Sequence, residues 1–431
     1  MLNKIKKIHF IGIGGVGVSA LARMARLKGI KVTGSDMVMG KMTERIERIG
    51  GKIFIGHKKE NLPPDTNLVI YSPAITMDNP EFVYARELKI PTYSYPEALG
   101  LLSKDMYTIA VSGTHGKTTT TCIIAELMIY GNLDPTVVVG GLLKKQQDNF
   151  VLGGNKYFVV EACEYKESFL NLNPNILIIT NIDNDHLDYY RNIENIQNAF
   201  AKLINKTKDF VVCDLNDQNT LKALKKAKQI TEPPKIIDYM GETLNIKLSI
   251  PGQHNLKNAK AAFAVSKLIG LEEESAKKIL RDYTGSWRRF EYKGETEKGA
   301  KTYDDYGHHP TEIQATLKGA REYFPDKKIV VVFQPHLYSR TRLLLDDFAG
   351  SFKDANEVIV TDIYAAREKD DHSVHAKDLT EKINSISNNA KYIKDFTEIE
   401  NYLKTRIDRN TVILTIGAGD VYKIGENIVK K

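Results

Sequence analysis

Apolar residues along this chain fall in short runs that break into glycine-rich or polar clusters, and between those runs the spacing lengthens to that of a helix. The opening KKIHFIGIGGVGVSALARMARLKGIKVTGSD sets the pattern. It predicts a strand over Ile8–Ile11, a glycine-rich turn, an amphipathic helix to about Lys28, a stop at Gly29 and a second strand from Lys31. NLVIYSPAI predicts a further strand, and IPTYSYPEALGLL leads out toward Ser103. No repeat period appears, which argues against a solenoid.

The pattern restarts near Asp105. YTIAVS reads as a strand, Thr118–Ile129 as a helix and Gly131 as its stop, while KYFVVEACE and NILIITNIDNDH are apolar strands ending abruptly in polar residues. It restarts again after GSWRRFEYKGE, with KTYDDYGHHP, KIVVVFQPHLYSRTR, NEVIVTDIYAAREKD and TVILTIGAGD. Alternating strand and helix predicts mostly parallel sheets covered on both faces, with ligands at the carboxyl ends of the strands. The expected fold class is therefore α/β, in three consecutive domains over 1–104, 105–286 and 287–431.

Composition changes this picture little. With 42% apolar and 27% charged residues among 431, the chain is an ordinary globular one. Its net charge of +7 is spread among nearly as many acidic residues, without a basic block, so nucleic acid is not an expected partner. The cysteines Cys122, Cys163 and Cys213 are odd in number and far apart, which fits neither a disulfide framework nor a metal knuckle and suits a reducing cytoplasm. Lysines ahead of Phe10–Ala22 mimic a secretory signal, but four glycines and an immediate Arg23 oppose that reading. No run is long enough to span a membrane.

Two loops carry candidate chemistry. In VSGTHGKTTTT, a strand feeds Gly113, Thr114, His115 and Gly116 into a helix, so backbone N–H groups and the positive helix end face an anion. Lys117 would neutralise phosphates and the Thr118 hydroxyl would hold Mg²⁺, with Thr119 following. A full Walker A loop would have glycine at Val111; its absence shortens the loop without removing the geometry. Glu161, at the end of an apolar run, is placed as a metal-binding carboxylate, and Asn181, Asp185 and His186 reach the same rim. The first loop, Gly12-x-Gly14-Gly15-Val16-Gly17, is followed by Ser35-Asp36 at the end of the next strand, and Ser72 follows the one after. That is the dinucleotide fingerprint, which taken alone suggests a nicotinamide dehydrogenase. Physically it reports a diphosphate beside a sugar, which a UDP-sugar also satisfies.

HFIGIGGVGVSALA, GSD, SPAI, SGTHGKTTT, TNIDNDHLDYY, PGQHNLKNA, WRRFEYKG, DDYGHHPTEI, FQPHLYSRTR and GAGD, in this order, resemble the Mur ligase family over nearly the whole chain. The resemblance implies a Rossmann-like N-terminal domain for a UDP-sugar, a central P-loop domain for ATP and a Rossmann-like C-terminal domain for the incoming amino acid. It implies ATP-driven joining of that amino acid to the carboxylate of UDP-N-acetylmuramate through an acyl phosphate. The branch it favours adds L-alanine; a recycling ligase that attaches a ready-made tripeptide is the nearest alternative.

By the same resemblance Lys117 meets the γ-phosphate, and Thr118, Glu161 and His186 arrange Mg²⁺. His254, Asn255, Arg289 and Asp305 hold the nucleotide, and His308 and Arg340, or Arg342 in its place, face the amino acid or the developing phosphate. Gly14, Gly15, Val16, Gly17, Ser35, Asp36 and Ser72 take the UDP-sugar. The chain departs from its relatives at Cys163, which leaves the role of Glu164 open, and at Leu337, where many carry Arg. The stretch Lys235–Ser249 is short, which suggests a trimmed edge of the central sheet. Phe200 stands where later-acting members have a modified metal-bridging lysine, which favours the alanine-adding branch.

Overall fold

The structure is a computed structural model and describes residues 5–227, 232–366, 368–370 and 372–430. Among the described residues the chain forms three sheets, and these pack as two compact units. One unit runs to Ile246 and takes in Lys257–Arg281; the other comprises Lys247–Leu256 and the chain from Asp282 on.

The first sheet holds β1 (Lys7–Ile11), β2 (Lys31–Asp36), β3 (Lys52–Ile55), β4 (Leu68–Tyr71) and β5 (Thr92–Ser94) in the order β3-β2-β1-β4-β5. Its strands are all parallel. The order reverses between β1 and β4, which opens a crevice at their carboxyl ends. The predicted second strand runs on through Asp36 and so delivers that carboxylate to the crevice.

The second sheet shares the first unit. It contains β6 (Tyr107–Ser112), β7 (Thr136–Leu143), β8 (Asp148–Val151), β9 (Tyr157–Glu161), β10 (Ile176–Ile179), β11 (Phe210–Cys213) and β12 (Lys235–Asp238), ordered β12-β11-β10-β6-β9-β7-β8. Ile109, Ala110, Val111 and Ile176–Ile179 are fully buried, as parallel strands covered on both faces require. The edge expected to be trimmed is present as β12, four residues long.

The two sheets are joined by charge rather than by apolar contact alone. Arg23, on the helix Val16–Leu27, donates to Asp148 at 2.5 Å and to Asn149 at 2.6 Å, both on β8. Asn149 in turn donates to the Val16 carbonyl at 2.7 Å, so the first turn of that helix is pinned to the central sheet. Phe200 is buried and packs edge-on against Phe169 with ring centroids 5.1 Å apart, a core contact with no room for a charged lysine.

In the second unit lie β13 (Glu291–Glu295), β14 (Lys301–Asp305), β15 (Lys328–Phe333), β16 (Glu357–Val360), β17 (Ala390–Tyr392) and β18 (Thr411–Ile416). Their order is β13-β14-β18-β15-β16-β17, parallel except for β13. His254 and Asn255 fall inside the 105–286 span expected of the central domain, but Lys247–Leu256 packs with this unit. There His254 sits in the field of Arg289, Glu312 and Glu322, and burial with Arg289 lowers its pKa to about 4.

Candidate active site

β6 runs straight through Val111, whose carbonyl accepts the Ala162 N–H at 2.8 Å, so no glycine is needed there. The turn begins at Gly113 and closes at Gly116, the residue before the helix Lys117–Tyr130. Gly116 has φ +83°, and a Cβ there would stand 2.5 Å from Asn258 Oδ1, so both conformation and space require glycine. The loop is laced to the exit of β10. Thr114 N–H donates to the Asn181 carbonyl and His115 N–H to Asn181 Oδ1, each at 3.0 Å.

Lys117 folds back over this loop. Its ammonium donates to Gly113 O at 2.5 Å, Thr114 O at 3.1 Å and Glu164 Oε1 at 2.9 Å, using all three protons. Burial opposes the charge, but the Glu164 carboxylate outweighs it and holds the pKa of Lys117 above the ordinary range. Thr118 Oγ1 lies 2.9 and 3.0 Å from the two Glu161 oxygens, and Gly140 N–H donates to Glu161 at 2.8 Å. His186, at φ +53°, faces Glu164 Oε1 and Asp185 Oδ2, each at 3.7 Å. Thr119 is buried in the first turn.

The expected metal set therefore appears as two neighbouring groups, Thr118 with Glu161 and His186 with Glu164 and Asp185. Ligand atoms of the second group lie within 4.8 Å of one another. Glu164 Oε2 is buried without a hydrogen-bond partner. An oxygen-rich set with one imidazole and an unsatisfied buried carboxylate oxygen fits a divalent cation beside phosphate. Glu164 is the residue that sequence reasoning left open, because only the fold turns it onto Lys117.

On the first sheet, a cleft of about 530 Å³ opens beside Gly12, Gly14, Gly15, Asp36, His57 and Ser72. Asp36 Oδ2 accepts the Gly14 N–H at 2.7 Å, which orders the turn. Ser35 lies elsewhere than expected. It is fully buried, and its hydroxyl donates to Glu81 at 2.6 Å while its carbonyl accepts the Gly12 and Ile13 N–H groups. It builds the loop from behind. His57 was missed; it follows β3 in the polar cluster GHKKEN, the same strand-end signal that marked Asp36.

Behind His57, fully buried Glu81 accepts from Asn61 at 2.9 Å, Lys58 N–H at 3.1 Å and Ser35, and pairs with His9 at 2.8 Å. Burial pushes the Glu81 carboxyl up, but His9, Ser35 and Asn61 together bring it below the usual carboxylate value. Such a group adds stability above its unfolded pKa of about 4.3, and that stability is lost as pH falls through the lower folded value. Glu81→Ala should lower unfolding free energy by about 3 kcal/mol or more, since buried partners lose their acceptor. Calorimetry at pH 7 and pH 3 should show the gap between wild type and variant narrowing at the acid end.

In the second unit the carboxyl ends of β14, β15 and β16 bring together His308, His336, Arg340 and Tyr364. His308 Nδ1 lies 3.1 Å from the Tyr306 carbonyl, so it carries the proton and leaves Nε2 as an acceptor. Burial and the Arg340 charge lower the pKa of His308, keeping it neutral. The His308 and His336 rings are 5.8 Å apart, and Tyr364 stacks on His336 at 5.8 Å. Arg340 Nη1 lies 3.2 Å from His336 Nδ1. Arg342, two residues on, is exposed. Leu337 has φ +70° and opens the short helix Tyr338–Leu343. Asp305 is buried, accepting from Phe290 and Gly307 N–H groups at 2.8 Å each. Arg289 lies 3.7 Å from Glu312. His336 was quoted only as part of a motif; its ring became legible through its neighbours.

Comparison with known proteins agrees with this architecture. The profile described as Mur ligase family, catalytic domain, matches residues 7–107. Those for the Mur ligase middle domain and the Mur ligase, glutamate ligase domain match 111–239 and 288–419. A protein of Acetivibrio thermocellus named UDP-N-acetylmuramate–L-alanine ligase is 44% identical, over 99% of this chain and 96% of its own. One of the same name from Caldanaerobacter subterraneus is 43% identical, over 100% and 98%. The crystal structure of UDP-N-acetylmuramate–alanine ligase from Thermotoga maritima superposes with TM-score 0.79 at 31% identity, covering 98% of both chains. The fold, the glycine-rich loop ahead of Lys117 and these relatives together define an α/β amide-forming ligase. The chain belongs to the Mur ligase family.

Proposed function

We propose that this enzyme joins L-alanine to the carboxylate of UDP-N-acetylmuramate, spending ATP, as a step in peptidoglycan precursor synthesis. Full-length identity to the alanine ligases carries the reading. In this reading residues 1–104, 105–286 and 287–431 would take the UDP-sugar, ATP and the amino acid in that order. Gly14, Gly15, Val16, Gly17, Asp36 and Ser72 would carry the UDP diphosphate and ribose; Lys117, Thr118 and Thr119 would take the ATP phosphates. The Lys117 ammonium would exchange loop carbonyls for a phosphate oxygen, and the helix N-terminus behind it would stabilise charge on the transferring group.

Mg²⁺, held by Thr118 and Glu161 with His186 nearby, would supply charge neutralisation of the phosphates when bound. His254, Asn255, Arg289 and Asp305 would hold the rest of the nucleotide. Attack on the acyl phosphate requires a free amine, and neutral His308, whose Nδ1–H points to the Tyr306 carbonyl, has an Nε2 lone pair that can accept an amine proton. Arg340 would hold the carboxylate of alanine. No helix among the described residues is long and apolar enough to cross a membrane. The water-soluble substrates of this reading support a cytoplasmic enzyme.

Phosphate release from ATP with UDP-N-acetylmuramate, comparing L-alanine with glycine, L-serine and a murein tripeptide, tests the reading. L-alanine should be preferred; preference for the tripeptide would move the chain to the recycling branch. Thermal shift separates the first loop's two readings. UDP-N-acetylmuramate at about 100 times its Kd should add roughly 2.7 kcal/mol to stability, and NADH or NADPH should add none. An equal nicotinamide shift would restore the dehydrogenase.

A further inference from the structure

The strand order β3-β2-β1 sets three polar groups in a row along the carboxyl edge of the first sheet. β1 runs into the glycine turn, β2 ends in Asp36, and β3 is followed by Gly56 and His57. The Gly56 N–H donates to the Asp36 carbonyl at 2.8 Å, which holds His57 beside that carboxylate. Gly14, Asp36 and His57 all line the cleft, together with the apolar Met37, Val38 and Met42. With a diphosphate on the glycine turn and a ribose at Asp36, the next group of a nucleotide, its base, falls to the β3 side.

The ring proton of His57 is placed from behind. Glu81 Oε1 accepts from Asn61 at 2.9 Å and from the Lys58 N–H at 3.1 Å, while Glu81 Oε2 accepts the Ser35 hydroxyl at 2.6 Å. Having given its one proton to Glu81, Ser35 Oγ can only accept from His57 Nδ1, 3.0 Å away. A neutral His57 ring therefore keeps its proton on Nδ1 and carries a lone pair on Nε2. Only Nδ1 has a partner among the described residues.

We infer that His57 reads the base of the nucleotide sugar, its Nε2 accepting the N3–H of uracil. The inference rests on the UDP-sugar reading above. Uracil has a proton at N3 and cytosine a lone pair, so an acceptor at this point pairs with the first and opposes the second. Glu81 is then a positioning residue. In Glu81→Gln the amide oxygen stays with Asn61 and Lys58, and the NH₂ turns to His9 and Ser35. Ser35 becomes free to donate to His57 Nδ1, which moves the ring proton to Nε2.

Titration calorimetry of the full-length protein with UDP and CDP, at pH 8 where an ordinary imidazole is neutral, tests this. Wild type should bind UDP about 10-fold or more tightly than CDP. His57→Asn keeps an amide near the Nδ1 position and has nothing at Nε2. It should weaken UDP by about 3–10-fold, the worth of one neutral hydrogen bond, without weakening CDP. Glu81→Gln should reduce the preference for UDP over CDP, and should reduce it no further once His57→Asn is present. A merely structural role of Glu81 would leave that preference untouched, and such a result would remove Glu81 alone. Failure of UDP to bind the wild-type protein would overturn the UDP-sugar reading itself. UDP bound by wild type without preference over CDP, or with equal affinity by His57→Asn, would overturn only the role of His57. So would equal weakening of UDP and CDP in His57→Asn, since that marks packing.

Discussion

Lys117→Ala removes measurable ligation, lowering turnover by about 10³-fold, while UDP-N-acetylmuramate still binds within a few-fold of wild type. Loss of one preorganised donor at developing charge costs about 10²–10³ in rate, and here a full positive charge goes with it. The substitution also strands Glu164, whose side chain is 3% exposed and whose ammonium partner is gone. Breaking such a pair costs about 3–5 kcal/mol, so a melting-temperature drop accompanies the loss of rate. The double variant Lys117→Ala with Glu164→Gln separates the two effects. Neutral glutamine needs no counter-charge, so stability recovers in calorimetry while phosphate release stays absent. Recovery of activity in the double variant, or turnover retained in the single one, would remove Lys117 from the chemistry.

Arg340→Lys costs about 10–150-fold in kcat/KM for L-alanine, with KM for ATP and UDP-N-acetylmuramate nearly unchanged. Arginine grips a carboxylate through two parallel N–H···O bonds, whereas lysine offers a single point charge, and a charge-assisted bond is worth about 1.5–3 kcal/mol. Arg340 lies 3.2 Å from His336, which shares a cluster with neutral His308, and Leu337 supplies no second cation. Arg342, exposed two residues on, should tolerate the same change. Steady-state kinetics with L-alanine varied at saturating ATP check both variants. A loss confined to Arg342→Lys would move the contact by two positions, and no loss in either would refute it.

Much of this enzyme was legible in its sequence, and for a local reason. A glycine turn that caps a helix, a carboxylate that ends an apolar run, and the spacing between them are decided within about ten residues. The turn at Gly113, the strand ends at Asp36 and Glu161, and the three α/β repeats could therefore be read directly. The meaning of Phe200 came from the family resemblance, which sets it where later-acting members have a metal-bridging lysine.

What the tertiary structure decided is which strand ends meet. Glu164 and Glu161 are three residues apart, yet one bonds Lys117 and the other Thr118, since the chain turns sharply beyond β9. Ser35 and Asp36 are adjacent, yet the alternation of a strand sends one into the core onto Glu81 and the other into the cleft. His254 looked central and packs with the second unit, His336 stood inside FQPHLYSRTR without a role of its own, and His57 lay outside every motif. Their surroundings come from residues distant in sequence, and desolvation and charge act through space rather than along the chain.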